Sequence, residues 1–361
     1  MSSDERNYDL KPTASHPMPP RALSYQPPRP KQRHRIGLIG CGGISESHLK
    51  AYQHAGLEVV AFSDLDFAKA SARRDAFYPS GKVYPDYQSL LDTADVDVVD
   101  VATPVEPRVK IIEAALQHGK HVLSQKPFVR DLAEGLRLAD LADASGCRLA
   151  VNQNGRWAPH FSFIRNAAAM GWVGDVVSIN VDIHWDHNWI QGTPFNEMQH
   201  VVLEDFAIHW FDFVASIVAG VAEDVYATAM QSASQTAKPP LLGTAILRYM
   251  RTLAVLNFDA DTKYGVEDRT VVRGTQGTMV SAGPSLTDQS VKVFTAEGWF
   301  QPPLEGNWFQ EGFIGTMSEL LCAIEEDRPP LHDARDNLRG LSMCFAAVDS
   351  ANSGERVSIQ A

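Results

Sequence analysis

The sequence predicts a two-domain α/β protein, a doubly wound parallel sheet followed by an α+β domain built on a large, mostly antiparallel open sheet. Three observations lead there. Between residues 35 and 153, short apolar runs alternate with amphipathic stretches, the pattern of βαβ units. Beyond residue 153 the apolar segments lengthen and several alternate with polar residues, as strands of an antiparallel sheet with one covered face do. The 361 residues, 44% apolar and 21% charged, also exceed the size at which a single core usually stops growing.

Residues 1–34 hold seven prolines, Pro19-Pro20 and Pro27-Pro28 among them, and little apolar periodicity, so they predict an extended or disordered arm. In the first domain, 35–153, buried strands are expected at 36–39, 58–63, 96–102, 121–124 and 148–152. Helices at 46–54, 67–77, 109–118 and 132–144 cover both faces. In the second, 154–361, strands are expected at 176–185, 224–233, 242–259 and 267–281. A helix is expected at 201–219, with closing helices near 312–326 and 336–350.

The net charge of -12 argues against a nucleic-acid backbone or an anionic membrane surface as partner, since either favours a basic face. Four widely spaced cysteines, Cys41, Cys147, Cys322 and Cys344, suit neither a disulfide scaffold nor structural zinc, and fit a reducing cytoplasm. No apolar run reaches the roughly 18 residues a membrane-spanning helix needs, and no secretory leader is evident.

Gly40-Cys41-Gly42-Gly43-Ile44-Ser45 follows the first strand and opens a helix, the context that gives a glycine-rich motif meaning. Gly40 allows the tight turn, and Gly42 lets backbone amides at a helix N-terminus approach a pyrophosphate. Ser45 stands where Gly or Ala is usual and is still small. Asp64, 24 residues after Gly40, ends the second strand, where a carboxylate accepts from ribose hydroxyls and repels a 2′-phosphate. These residues predict a Rossmann domain that takes NAD rather than NADP, with Arg73 and Arg74 nearby as the opposing signal. The competing reading of Asp64 is a helix cap, with Asp66 beside it.

Ala102-Thr103-Pro104, then Gly119 through Lys126-Pro127, then Leu203-Glu204-Asp205-Phe206-Ala207-Ile208-His209 and the closing Ser350-Ala351 with Gly354 and Val357 resemble the glucose-fructose oxidoreductase / inositol dehydrogenase / rhizopine catabolism family over about residues 35–361. The resemblance implies an NAD-dependent dehydrogenase or reductase of sugars or cyclic polyols. Thr103, Pro104, Gln125 and Lys126 would lie on the cofactor side, with Lys126 beside the nicotinamide ribose and the substrate hydroxyl. Gln125 stands where relatives usually have Glu, and Arg108 where they commonly have His; Arg108 is read as an ordinary surface or phosphate-facing arginine.

Oxidising a secondary alcohol needs a base for the hydroxyl proton, and a histidine suits both directions of transfer. His209 is that candidate. On a helix, Asp205 lies one turn before it and on the same face, able to orient substrate or steady an imidazolium. Asp212 is read as a capping or packing residue. Asn154, Arg156 and Trp157, at the domain junction, are expected to contact substrate. His184, Trp185, Asp186, His187, Asn188, Trp189 and His200 invite a metal reading, but strand alternation separates His184 from His187, so a sugar-lining role is preferred and no metal is expected.

Two other functions compete. Some relatives use tightly held NAD to cleave glycosidic bonds by transient oxidation and elimination; a non-catalytic NAD sensor is the third, disfavoured by Lys126 and His209. The resemblance also implies a homodimer or homotetramer and raises a role for the arm, over the cofactor or along a neighbouring subunit.

Overall fold

The computed structural model describes residues 16–359. In the first domain β1 (Arg35–Ile39), β2 (Glu58–Ser63), β3 (Lys82–Tyr84), β4 (Val98–Val101), β5 (His121–Gln125) and β6 (Leu149–Asn152) form a six-stranded parallel sheet in the order β3-β2-β1-β4-β5-β6. Helices α1 (Ser45–Ala55), α2 (Phe67–Phe77), α3 (Tyr87–Thr93), α4 (Val105–Gln117) and α5 (Leu132–Ala144) connect the strands. Every residue of β4 and β6 is buried, which is why these strands are covered on both faces. The strand order reverses between β1 and β4, opening a crevice at their carboxyl ends where α/β sheets bind ligands.

The three-residue β3 and the short α3 were not expected, because Lys82-Val83-Tyr84 is too brief to show a period. Helix α4 starts four residues early: Pro107 falls in its first turn, where a missing N–H leaves no helical bond unmade.

The second domain contains α6 (Pro159–Ala169), β7 (Val176–His184), α7 (Ile208–Ile217), β8 (Asp224–Met230), β9 (Leu242–Arg248), β10 (Leu253–Asp259), β11 (Glu267–Gly274), β12 (Gly277–Ser285), β13 (Asp288–Thr295), β14 (Gly298–Phe300), α8 (Trp308–Glu325), α9 (Ala334–Ser353) and β15 (Val357–Ser358). Its nine strands run β14-β13-β12-β11-β7-β10-β9-β8-β15, antiparallel except for the β7/β10 pair. Helices α6, α7 and α9 pack on one face. The other carries a cross-strand row of Tyr226, Ile246, Val255, Asn180 and Val271 that none of these residues shares with the core.

Three expected elements are corrected. The strand at 242–259 is the hairpin β9/β10, its turn at Tyr249 to Thr252 lacking glycine or proline. The strand at 267–281 is the hairpin β11/β12, turning at Thr275-Gln276 between two glycines. The helix at 201–219 is split into a π turn, Val202–Phe206, and α7. Helix α8 crosses to the first domain: Phe313, Met317, Leu320 and Leu321 share a core cluster with Leu38, Leu49, Tyr52 and Phe62.

Residues 1–15 of the arm lie outside the described residues. Residues 16–34 run along their own chain rather than free of it. The Met18 N–H donates to the Trp299 carbonyl at 2.7 Å, and the Tyr25 carbonyl accepts from Ser162 Oγ at 2.6 Å. Further on, the Glu325 carboxylate takes the backbone N–H groups of Lys31 and Gln32 at 2.9 and 2.8 Å. The arm thus touches β14 and α6 in the second domain and the end of α8 before entering β1.

Candidate active site

The crevice at the carboxyl ends of β1, β4 and β5 is shaped by its glycines. Gly40 has φ +96°, and a Cβ there would lie 2.8 Å from the Ala102 carbonyl carbon and 2.9 Å from the Thr103 nitrogen, so the fold itself demands glycine. Gly42 and Gly43 differ: a Cβ at either would meet nothing within 4 Å. No protein packing requires them to be small, and the open space lies at the start of α1, where Ile44 precedes the first turn. Ser45 is turned inward, its hydroxyl donating to the Gly42 carbonyl at 2.6 Å.

Asp64 holds this loop from the end of β2. One carboxylate oxygen accepts from the Cys41 N–H at 2.7 Å and the other from the Asp66 N–H at 2.8 Å. The helix cap is Asp66, which accepts from the Ala68 and Lys69 N–H groups, so Asp64 is not the cap. Arg73 is paired with Glu46 at 2.7 Å, and Arg74 with Asp75 at 2.6 Å. Thr103 and Pro104 follow β4 across the crevice, and the Thr103 hydroxyl is buried with no hydrogen-bond partner.

Lys126 leaves the end of β5 through a cis Lys126-Pro127 bond. Arg108, expected at the surface, is only 1% exposed. Its guanidinium donates to the carbonyls of Gln125 (2.6 Å), Pro127 and Thr103, so it clamps the two loops that follow β4 and β5. A planar five-donor fork suits that task. The sequence marks Arg108 only as standing where relatives commonly have His; its role as a clamp depends on carbonyls of two loops that fold over it.

From the second domain, the π turn comes over Lys126. Its ammonium donates to Asp205 Oδ1 at 2.8 Å and to the Asp205 carbonyl at 3.0 Å. In an α-helix that carbonyl would accept from the residue four positions on; π turns re-aim such groups, and they recur at functional sites. Arg130 and Glu204 form a second ion pair across the same junction. Among the described residues Asp205 makes no hydrogen bond to His209, so the expected Asp205/His209 pairing on one continuous helix is replaced by Asp205/Lys126.

His209 sits in the first turn of α7, half-buried, with its ring edge-on to Trp308 (centroids 5.6 Å apart, 89°). Gly155 makes room, since a Cβ there would lie 2.9 Å from the Trp308 ring. The His209 Nδ1 is enclosed and has no hydrogen-bond partner. Burial first, then the nearby Lys126 charge, pushes the imidazole pKa well below its usual value, so the ring is neutral at neutral pH.

Asn154, Arg156 and Trp157 fall on one buried 3-10 turn. The Arg156 guanidinium is taken up by Asp212, Asp336 and the Leu331 carbonyl. Trp157 is edge-on to His332 and faces the Arg165 guanidinium. Both side chains are therefore part of the domain junction. Asn154 is packed under α8, where a Cβ at Gly312 would reach its carbonyl oxygen at 2.7 Å.

The segment after β7 forms an aromatic wall next to Asp205. His187 stacks on Trp185 (5.3 Å) and lies 4.1 Å from the Phe206 ring, and Trp189 projects into solvent beside Phe206. His184 pairs with Asp182, Asp186 binds the Asn188 N–H, and His200 bonds to Asn352. Among the described residues, no group of three or more His, Cys, Asp or Glu could hold a metal ion, the four cysteines are free and buried, and no helix is long and apolar enough to cross a membrane.

A family model described as an oxidoreductase family with an NAD-binding Rossmann fold matches residues 34–153, and a GFO/IDH/MocA C-terminal domain model matches 161–280. The chain is 25% identical over 344 residues to a D-apiose dehydrogenase from Paraburkholderia graminis, covering 91% of this chain and 90% of that one. It is 24% identical over 335 residues to inositol 2-dehydrogenase from Rhizobium meliloti, covering 90% and 99%. A solved oxidoreductase from Agrobacterium radiobacter, in complex with NAD+, L-tartaric acid and magnesium, shares the fold with a TM-score of 0.81 at 21% identity, covering 91% and 98%.

Proposed function

Because the chain belongs to the GFO/IDH/MocA oxidoreductase family with its NAD-binding Rossmann fold, we propose that it moves a hydride between the nicotinamide and a secondary alcohol carbon of a sugar, glycoside or cyclic polyol. The observation that carries this reading is the Lys126–Asp205 contact at the end of β5, with His209 one turn further along the chain.

The residues of the crevice fit NAD. The space beside Gly42 and Gly43 at the start of α1 suits a pyrophosphate, and Asp64 ends β2 where ribose hydroxyls are met. Thr103, whose buried hydroxyl has no partner, follows β4 at the same end of the sheet. Gly40, Gly42, Gly43, Ile44, Asp64, Thr103, Pro104, Gln125 and Lys126 would hold the dinucleotide. The Asp64 charge, and the pairing of Arg73 with Glu46, favour NAD over NADP. Bound there, NAD supplies the hydride acceptor for oxidation and the donor for reduction.

In oxidation the substrate hydroxyl donates its proton to the neutral His209 imidazole as the C–H bond yields its hydride, leaving a ketone. In reduction the imidazolium returns the proton. The Lys126 ammonium donates to the reacting oxygen, and Asp205 fixes that ammonium across the domain junction. Burial between domains excludes water. Trp185, Trp189 and Phe206 offer faces on which sugar C–H groups stack, with Asn154 as a polar contact. The names of the relatives make D-apiose and inositols the first compounds to try. The apolar part of the open sheet face, with Tyr226, Ile246, Met230 and Leu253 exposed, supports a homodimer or homotetramer.

The test is NADH formation by the purified protein with NAD and a panel of inositols, pentoses, hexoses and glycosides. Turnover is expected with at least one polyol or sugar, reduced about 10²- to 10⁴-fold in His209→Gln and Lys126→Met. Glycoside cleavage without net NADH would move the assignment to an NAD-dependent hydrolase, and failure to bind either NAD or NADH would overturn both.

A further inference from the structure

Beneath Lys126 lies a chain of polar contacts shut off from solvent. Asp100, in the middle of β4, accepts on Oδ2 from the Tyr52 hydroxyl and from His48 Nδ1, both at 2.7 Å. The other ring nitrogen, His48 Nε2, lies 3.1 Å from Gln125 Nε2 and 3.2 Å from Asn152 Nδ2. Gln125 Oε1 accepts the Lys126 backbone N–H at 2.6 Å. His48, Tyr52, Asp100 and Asn152 are fully buried. Packing at 4.4 Å against Phe313 of α8 fixes the His48 ring.

The directions of these bonds are set from one end. The Lys126 N–H requires an acceptor, so the Gln125 oxygen faces it and the Gln125 amide N–H faces His48. His48 Nε2 therefore accepts, and its Nδ1–H donates to Asp100. The chain needs one carboxylate, and Asp100 is that carboxylate.

We propose that His48 is a positioning residue for Lys126, acting through Gln125, and that Asp100 is the carboxylate that fixes the His48 tautomer for this task. The proposal rests on the reading of Lys126 given above. A Glu at position 125 would place a second carboxylate on the same buried imidazole, which would have to take a proton on Nε2 to hold it. With Asp100 on the far nitrogen, the near nitrogen is left as an acceptor, which the neutral amide of Gln125 meets. It also leaves Asp205 as the one carboxylate bonded to Lys126 among the described residues.

The experiment is a double-mutant cycle of Gln125→Glu, Asp100→Asn and the two combined, read by urea unfolding, by 15N NMR of histidine-labelled protein with the His48 signal assigned from His48→Gln, and by kcat and KM. The wild type should show His48 with a proton on Nδ1 and a bare Nε2. Gln125→Glu should place a proton on Nε2 and lower kcat about tenfold, with KM for NAD within roughly threefold. The double variant should recover kcat to within roughly threefold of wild type. Purely additive losses, or a Gln125→Glu protein with an unchanged His48 signal, would overturn the proposal. Should Gln125→Glu not fold, a folded double variant supports it and an unfolded one overturns it. The NMR and unfolding arms need no substrate, so they decide the matter even if the dehydrogenase reading fails.

Discussion

Arg156 and Asp212 meet through two parallel hydrogen bonds, Nε to Oδ2 and Nη2 to Oδ1, both 2.7 Å long and both closed to solvent. This pair joins the first turn of the second domain to α7, and Asp336 at the start of α9 adds a third member at 2.6 Å. Removing one partner strands the other in the interior. Asp212→Asn or Arg156→Met should therefore lower the unfolding free energy by about 3–5 kcal/mol. Denaturant titration checks this; a loss of under about 1 kcal/mol would show the pair to be dispensable.

Stability should fall steeply in mild acid. Burial pushes His160 down to about 3 and His187 down to about 4, and lowers His209 and His332 well below their usual value. A histidine whose folded pKa is depressed contributes stability above its unfolded pKa of about 6.5, and that contribution is lost as pH falls toward the folded value. Well below the unfolded pKa each such ring favours the unfolded state by up to about 1.4 kcal/mol per pH unit, so the losses accumulate as the pH falls. Urea midpoints measured from pH 7 to pH 5 should drop accordingly, and a flat profile would contradict the burial of these rings.

The acidic limb of oxidation follows from the same displacement of His209. Since the neutral ring is the base, kcat/KM for the alcohol should hold below the ordinary histidine range of about 6.5 and fall only at lower pH. The His209→Gln variant should lack that limb. A limb centred near the ordinary value would show that the ring is more hydrated than its surroundings imply.

Arg108→Lys tests the clamp. One ammonium cannot reproduce a planar fork reaching three carbonyls, so the loops after β4 and β5 lose donors and stability drops by about 1–3 kcal/mol. NAD affinity should weaken with it, as measured by quenching of intrinsic fluorescence. Unchanged affinity would mean that the loops hold their shape without the arginine.

Asp64→Ala should raise the NAD dissociation constant about 10- to 100-fold, the value of one or two charge-assisted hydrogen bonds, while changing NADP binding much less. Parallel titrations of both dinucleotides read the ratio directly. Equal losses would assign Asp64 to holding the Cys41 loop alone.

The first domain was legible because its strands are isolated apolar runs bounded by helical stretches, and Gly40 stands where the close approach of Ala102 leaves no alternative. The second was harder. Nothing in Tyr249 to Thr252 announces a turn, so β9 and β10 merged into one strand, and β11 and β12 merged likewise, although Gly274 and Gly277 flank their turn. At the site, Lys126, Asp205 and His209 were visible as residue types, but their connections were not. A π turn depends on tertiary contacts to Lys126 and Cys344 that no local period encodes. Arg156 was misjudged for a similar reason: its partners Asp212 and Asp336 lie 56 and 180 positions away, beyond any window over which a charge pattern can be read.

The arm has a consequence for the order in which the molecule is completed. Tyr25 takes the Glu305 N–H on its hydroxyl, and Lys31 and Gln32 reach Glu325, contacts that span 280 to 294 residues. A ribosome delivers these residues well before their partners. The first-domain sheet can form during translation, but the segment that precedes it must wait, unattached, until β14 and α8 have emerged. A segment made before the first sheet is thus fastened only after the second domain's last helices and strands are in place.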